Sequence, residues 1–89
     1  MIGKYVMVTT LHKGIFAGVL KEKNGKDYCV LTEARNCIRF GTTKGFLQLA
    51  DTGPTGDSKI GSVAKEIELW DITAYTLCTD EAEKAWRAA

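Results

Sequence analysis

Two runs dense in β-branched and aromatic residues, 4–10 (KYVMVTT) and 15–20 (IFAGVL), are separated by a short turn containing His12, Lys13 and Gly14. Such residues suit a pleated, half-buried surface, so the pair predicts a β-hairpin. The polar stretch 21–26 contains Asn24-Gly25, a dipeptide at ease with positive φ in the centre of a tight turn, and apolar residues 28–31 follow it. A second hairpin therefore continues the meander. Residues 34–40 alternate with a period of two, which places Arg35, Cys37 and Arg39 on one face and Asn36, Ile38 and Phe40 on the other.

Between residues 41 and 61 the composition shifts toward glycine and threonine and includes the only proline, Pro54. Phe46, Leu47, Leu49 and Ala50 have helical spacing, which predicts one short helix over 44–51 ended by Gly53-Pro54. Residues 66–77 form the longest strand candidate, but their alternation slips: Ile67 and Leu69 are in one phase, Trp70, Ile72 and Ala74 in the other. Either both faces are buried or a β-bulge sits near Trp70-Asp71. Thr79 is a good N-cap, Asp80 and Glu81 suit a first helical turn, and Ala82, Ala85, Trp86 and Ala89 line one stripe of a final helix. The expected fold is α+β, mostly β: a curved or barrel-like antiparallel sheet of about five strands with one short helix and a C-terminal helix, all in one small domain over residues 1–89.

Composition excludes several classes of function. Lys and Arg number 12 against 11 Asp and Glu, a net charge of +1, so no global field draws the chain to duplex nucleic acid or an anionic membrane. No apolar run approaches the ~18 residues of a membrane span. The three cysteines, Cys29, Cys37 and Cys78, form no C-x-x-C pair and are expected to be reduced and unpaired. A single histidine, His12, and no grouping of ligands at metal spacing argue against a metal or other cofactor. With no base placed near a nucleophile, the chain is expected not to be an enzyme.

The most informative constellation is basic and polar: Arg35, Asn36 and Arg39 on one strand, Thr43 and Lys44 before the short helix, and Thr55, Ser58 and Lys59 in the glycine-rich loop. Arginine supplies bidentate donors to phosphate, and glycines let backbone approach it closely. These eight residues are the expected ligand-binding set for a small phosphate-bearing nucleotide. The phosphate-loop pattern G-x-x-x-x-G-K-[ST] is missing, so hydrolysis by that route is excluded. Phe46 and Trp70 are expected in the core, as such residues usually are. Trp86 is expected to be buried against the last strand or a neighbouring chain. Exposed edges and a small interior favour a homo-oligomer.

The order YVMVTT, GIFAGVL, NGKDYCVLTEARN, a short apolar helix, a G-x-x-G turn and a closing acidic-apolar strand resembles a family of small proteins of tailed bacteriophages, classed as a domain of unknown function. Matching positions include Tyr5, Val6, Val8, Gly14, Gly18, Leu31, Ala34, Arg35, Gly53, Glu66 and Leu69. Thr9 stands where an arginine is common, and Arg39-Phe40 where a pair of large aromatic residues is common. The resemblance implies a phage accessory protein acting by binding in the host cell cytoplasm. Joined to the basic constellation, it leads to an anti-defence protein that sequesters a nucleotide immune signal, such as a cyclic nucleotide, without catalysis. The alternative is an interaction module that docks on a host or virion protein.

Overall fold

A computed structural model describes residues 1–11, 14–25, 27–39, 47–54 and 58–89, with Arg39 described through its backbone alone. Strands β1 (Tyr5–Thr10), β2 (Gly14–Asn24) and β3 (Tyr28–Arg39) form the expected meander, with Gly25 at φ 71 in the second turn. Helix α1 (Gln48–Asp51) and the two-residue strand β4 (Lys59–Ile60) follow. Strands β5 (Ala64–Trp70) and β6 (Ile72–Leu77) and helix α2 (Asp80–Ala88) complete the chain. Among the described residues, six strands make one antiparallel sheet of order β4-β3-β2-β1-β6, with β5 also on β3.

The slip of alternation in 66–77 marks a change of partner. Asp71 has φ 58, so the chain breaks there into two strands, β5 pairing with β3 and β6 with β1. Its carbonyl accepts the Leu11 N–H at 3.0 Å, and the next N–H, of Ile72, reaches the Asp27 carbonyl at 3.3 Å. Both hairpin ends thus pin one corner, and the sheet curls without closing into a barrel. This break and β4 in the glycine-rich loop each add a strand, while segments 28–31 and 34–40 run on as the single strand β3, so six strands stand where about five were expected.

The curl separates two cores. Val6, Val8, Phe16, Leu20, Cys29, Leu31, Ala34 and Leu69 fill its interior. Tyr5, Met7 and Ala17, on the opposite face, are covered by Leu49 and Ala50 of α1 and by Ala82 and Trp86 of α2. Strand β1 is consequently buried on both sides, which is why its sequence is apolar almost throughout.

A bulge in β3 sets which of its residues face which core. Ala17 is opposite Arg35 and Val19 opposite Thr32, so Glu33 and Ala34 share Gly18, and Glu33 takes φ 51. The phase shift lets Leu31 and Ala34, three positions apart, both enter the interior, while Cys37 packs against the helix-covered core. Gly18 makes room for it: a Cβ there would lie 2.9 Å from the Thr32 carbonyl oxygen and 3.1 Å from the Ala34 Cα.

The expected helix end at Gly53-Pro54 is observed, and Gly53 serves twice. It adopts φ 88 after the last turn of α1, and a Cβ on it would fall 2.4 Å from that of Ala85 in α2. Residues 44–46 of the expected helix lie outside the described residues. The N-cap of α2 is Thr79, whose hydroxyl accepts the Ala82 N–H at 3.1 Å and donates to the Asp51 carbonyl, tying the two helices together.

Candidate binding face

The expected nucleotide set is brought together in part. The turn after β4 folds onto β3, where the Gly61 N–H donates to the Asn36 carbonyl at 2.8 Å. Arg35 and Asn36 therefore meet the end of the glycine-rich loop, as a ligand pocket requires. Arg35, however, turns Nε and Nη1 to protein carbonyls: Nε on Gly61 at 2.9 Å, and Nη1 on Trp86 at 3.0 Å and Arg87 at 3.5 Å. The last two belong to the C-terminal turn of α2, whose carbonyls lack helical partners and carry partial negative charge. Arg35 is thus a clamp between sheet, loop and helix. Ser58 is half-buried, and Lys59 is exposed on β4 opposite the backbone of Arg39. The Arg39 side chain, Thr43, Lys44 and Thr55 lie outside the described residues.

A polar cluster surrounds this clamp. Arg87 bonds Glu83 at 2.9 Å and Glu33 at 2.7 Å, and its guanidinium carbon lies 5.1 Å from the centre of the Tyr5 ring. The Tyr5 hydroxyl is buried with no hydrogen-bond partner among the described residues. Burial pushes this phenol up to about 12, against the opposing charge of Arg87. Burial, assisted by Glu83, also lifts the Cys78 thiol to about 12, and burial does the same to the Tyr75 phenol. The unfolded chain releases these protons near 9.0 for the thiol and 10.0 for the phenols. Their contribution to stability is complete below those values and is withdrawn as the pH rises toward about 12. Urea midpoints measured at increasing alkaline pH are expected to fall steadily above about pH 9; a flat profile would show that these groups ionise at no cost to the fold.

The concavity between α1 and β6, about 250 Å³, is lined by Leu47, Ala50, Asp51, Thr76, Leu77 and Thr79. None of the described members of the expected ligand set, Arg35, Asn36, Ser58 and Lys59, is among them. No group of His, Cys, Asp and Glu among the described residues is arranged to hold a metal ion. All three cysteines are free. No described helix is long and apolar enough to cross a membrane.

The unexpected feature is on the outer face of β3 and β5. Trp70, expected in the core, is 56% exposed, because alternation puts Leu69 inside at 0% and turns its neighbour outward. It pairs across the strands with Tyr28, with ring centroids 5.4 Å apart at 51°. In the next row, Val30 lies between Glu22 of β2 and Glu68 of β5. Val30 is 6% exposed yet belongs to neither core, so the outer face has its own covered apolar centre. Partial desolvation, then the charges of Glu68 and Glu22, raise the Tyr28 phenol. From the other side of the sheet, Tyr75 donates its hydroxyl to the Tyr28 carbonyl at 3.2 Å. The aromatic pair is therefore carried on regular, hydrogen-bonded strands. The sequence signal for it was the Leu69/Trp70 alternation, which is decisive only once Leu69 is known to point inward.

No curated protein and no solved structure matches the chain. The resemblance read from the sequence has a counterpart in a family profile that runs over residues 3–86, nearly the whole of the fold described above, and the chain belongs to that family, described as Domain of unknown function (DUF6948).

Proposed function

We propose that this protein is a non-catalytic interaction module that docks on a protein partner through the Tyr28–Trp70 face of β3 and β5. The observation that carries this reading is the 56% exposure of Trp70 on a regular strand, its ring tilted against that of Tyr28. Tryptophan and tyrosine are enriched among the residues that dominate binding energy, and a ring held on a sheet loses little conformational freedom when a partner covers it. In the phage setting that the sequence resemblance implies, the partner is a host or virion protein and the compartment is the host cell cytoplasm. The nucleotide-sequestration reading draws less support, because Nε and Nη1 of the guanidinium at its centre already donate to the carbonyls of Gly61, Trp86 and Arg87.

Site-specific photo-crosslinking in the producing cell tests the proposal. A photoreactive residue at position 70 is expected to give a discrete protein adduct that the same residue at Leu47, exposed beside α1, does not give. Trp70→Ser should then weaken binding of the identified partner by roughly thirtyfold, equivalent to about 2 kcal/mol, with the circular dichroism spectrum unchanged. Equal adducts at both positions, or unaltered affinity of the variant, would refute the assignment. In parallel, cyclic dinucleotides and ADP-ribose derivatives should leave the melting temperature unmoved; a rise would restore the nucleotide reading by linkage.

A further inference from the structure

Resting on the interaction reading above, we infer that the occupant of the Tyr28–Trp70 face is a basic segment of a protein partner, with an arginine side chain seated on the exposed indole. The argument is charge complementarity around an aromatic platform. Glu22 and Glu68 flank Val30 on the row beside the aromatic pair, and Glu66 follows opposite Thr32. Lys21 is bonded to Glu66 at 2.8 Å. Glu22 and Glu68 have no basic partner among the ion pairs of the described residues.

Exposed Asp71 adjoins Trp70 in the chain, whereas the charge of Asp27 acts on the Tyr75 phenol, on the inner side of the sheet. Lys23, the other described lysine of β2, does not neutralise this face. It is in register with buried Cys29, hence on the inner side of the sheet, where its Nζ lies 4.4 Å from the centre of the Tyr75 ring. A chain with a net charge of only +1 thus has carboxylates that lack a basic partner beside the most exposed aromatic residue among the described ones.

An exposed aromatic face beside two carboxylates that lack a basic partner matches a guanidinium on both counts. The flat cation stacks on the indole, attracted by its negative face. Its edge donors reach carboxylates, which accept them in bidentate geometry. The same surroundings disfavour phosphate, so nucleic acid and free nucleotides are poor occupants of this face. An uncharged apolar segment would cover the rings but leave Glu22 and Glu68 desolvated without partners.

The test is a titration of the full chain, followed through the Trp70 indole N–H in two-dimensional NMR. The chain has two tryptophans, and the indole N–H of the other, Trp86, is internally bonded to the Leu49 carbonyl and serves as the reference. The probes are blocked glycine heptapeptides with arginine, glutamate or leucine at alternate positions, together with a thymidine oligonucleotide.

The arginine peptide is expected to shift the Trp70 signal saturably while leaving Trp86 in place. Its affinity should fall about tenfold on going from 50 to 300 mM salt, as expected for screened charge pairs. Glu22→Gln with Glu68→Gln should weaken it about tenfold, and Trp70→Ser, which lacks the reporter indole and is followed through the backbone amide signals of β3 and β5 instead, should abolish saturable binding, both with unchanged circular dichroism. Equal shifts by the leucine peptide would overturn the cationic occupant while leaving the interaction face standing. Binding of the oligonucleotide in place of the arginine peptide would overturn it too. No Trp70 shift with any peptide, combined with no adduct at position 70, would overturn both.

Discussion

Trp86→Ala is expected to lower stability by about 3–5 kcal/mol, the range for truncating a fully buried large aromatic residue. Trp86 is 0% exposed and is the largest side chain in the helix-covered core. Its indole N–H donates to the Leu49 carbonyl at 2.8 Å, so truncation removes apolar burial, opens a cavity and leaves a buried acceptor unpaired. Helix α1 has four residues and α2 nine, lengths that do not persist in water without packing. Loss of the one ring between them should therefore release both helices from β1 and β2. At about 0.05–0.15 kcal/mol per residue, a chain of this size has little beyond that loss to spare. Urea unfolding should show the reduced midpoint directly. Trp86→Phe, which keeps a ring but loses the donor, should fall between the two. A parent-like midpoint for Trp86→Ala would mean that α2 is not docked on the sheet.

Arg35→Ala is expected to cost about 2–3 kcal/mol, because charge-assisted hydrogen bonds contribute more than neutral ones and their carbonyl acceptors are left behind. One guanidinium joins Gly61 after β4 to Trp86 and Arg87 at the end of α2, so its removal loosens two segments whose other polar ties to β3 are the Gly61–Asn36 bond and the pairing of β4 on one side and the Arg87–Glu33 ion pair on the other. The side chain is half-buried, which keeps the expected loss below that of Trp86. Arg35→Lys places a single ammonium where a planar fork spans two elements, and should recover less than half of the loss. The sequence taken alone leads to the reverse expectation for Arg35→Ala: intact folding and nucleotide binding weakened by one to two orders of magnitude. Denaturant midpoints of both variants, measured beside a nucleotide thermal-shift series, separate the two. A parent-like midpoint with lost nucleotide binding would return Arg35 to ligand recognition.

The elements legible in the sequence are those whose causes are local. The first two hairpins follow from β-branched runs and from Asn24-Gly25, because turn chemistry and two-residue alternation act within a few positions. Helix α2 follows from the Thr79 cap and the Ala82–Trp86 spacing, and the end of α1 from Gly53, whose positive φ suits glycine. Burial of Trp86 was readable because an apolar stripe on a short helix must be covered by something.

What only the tertiary structure decided is which face each strand turns to which neighbour. Alternation says that Leu69 and Trp70 point opposite ways, but it does not say that α1 and α2 cover the outer face over β1 and β2 while Tyr28 and Trp70 remain outside it. Nor does it show that Glu33 doubles up opposite Gly18, or that Asp71 ends one pairing and begins another. The carbonyls that occupy Arg35 lie 26 to 52 positions away along the chain. Two arginines spaced for a ligand and one arginine reaching for a helix end have the same local sequence. The difference is made by where the sheet's curl delivers α2, a sum of long-range contacts that no window of neighbouring residues contains.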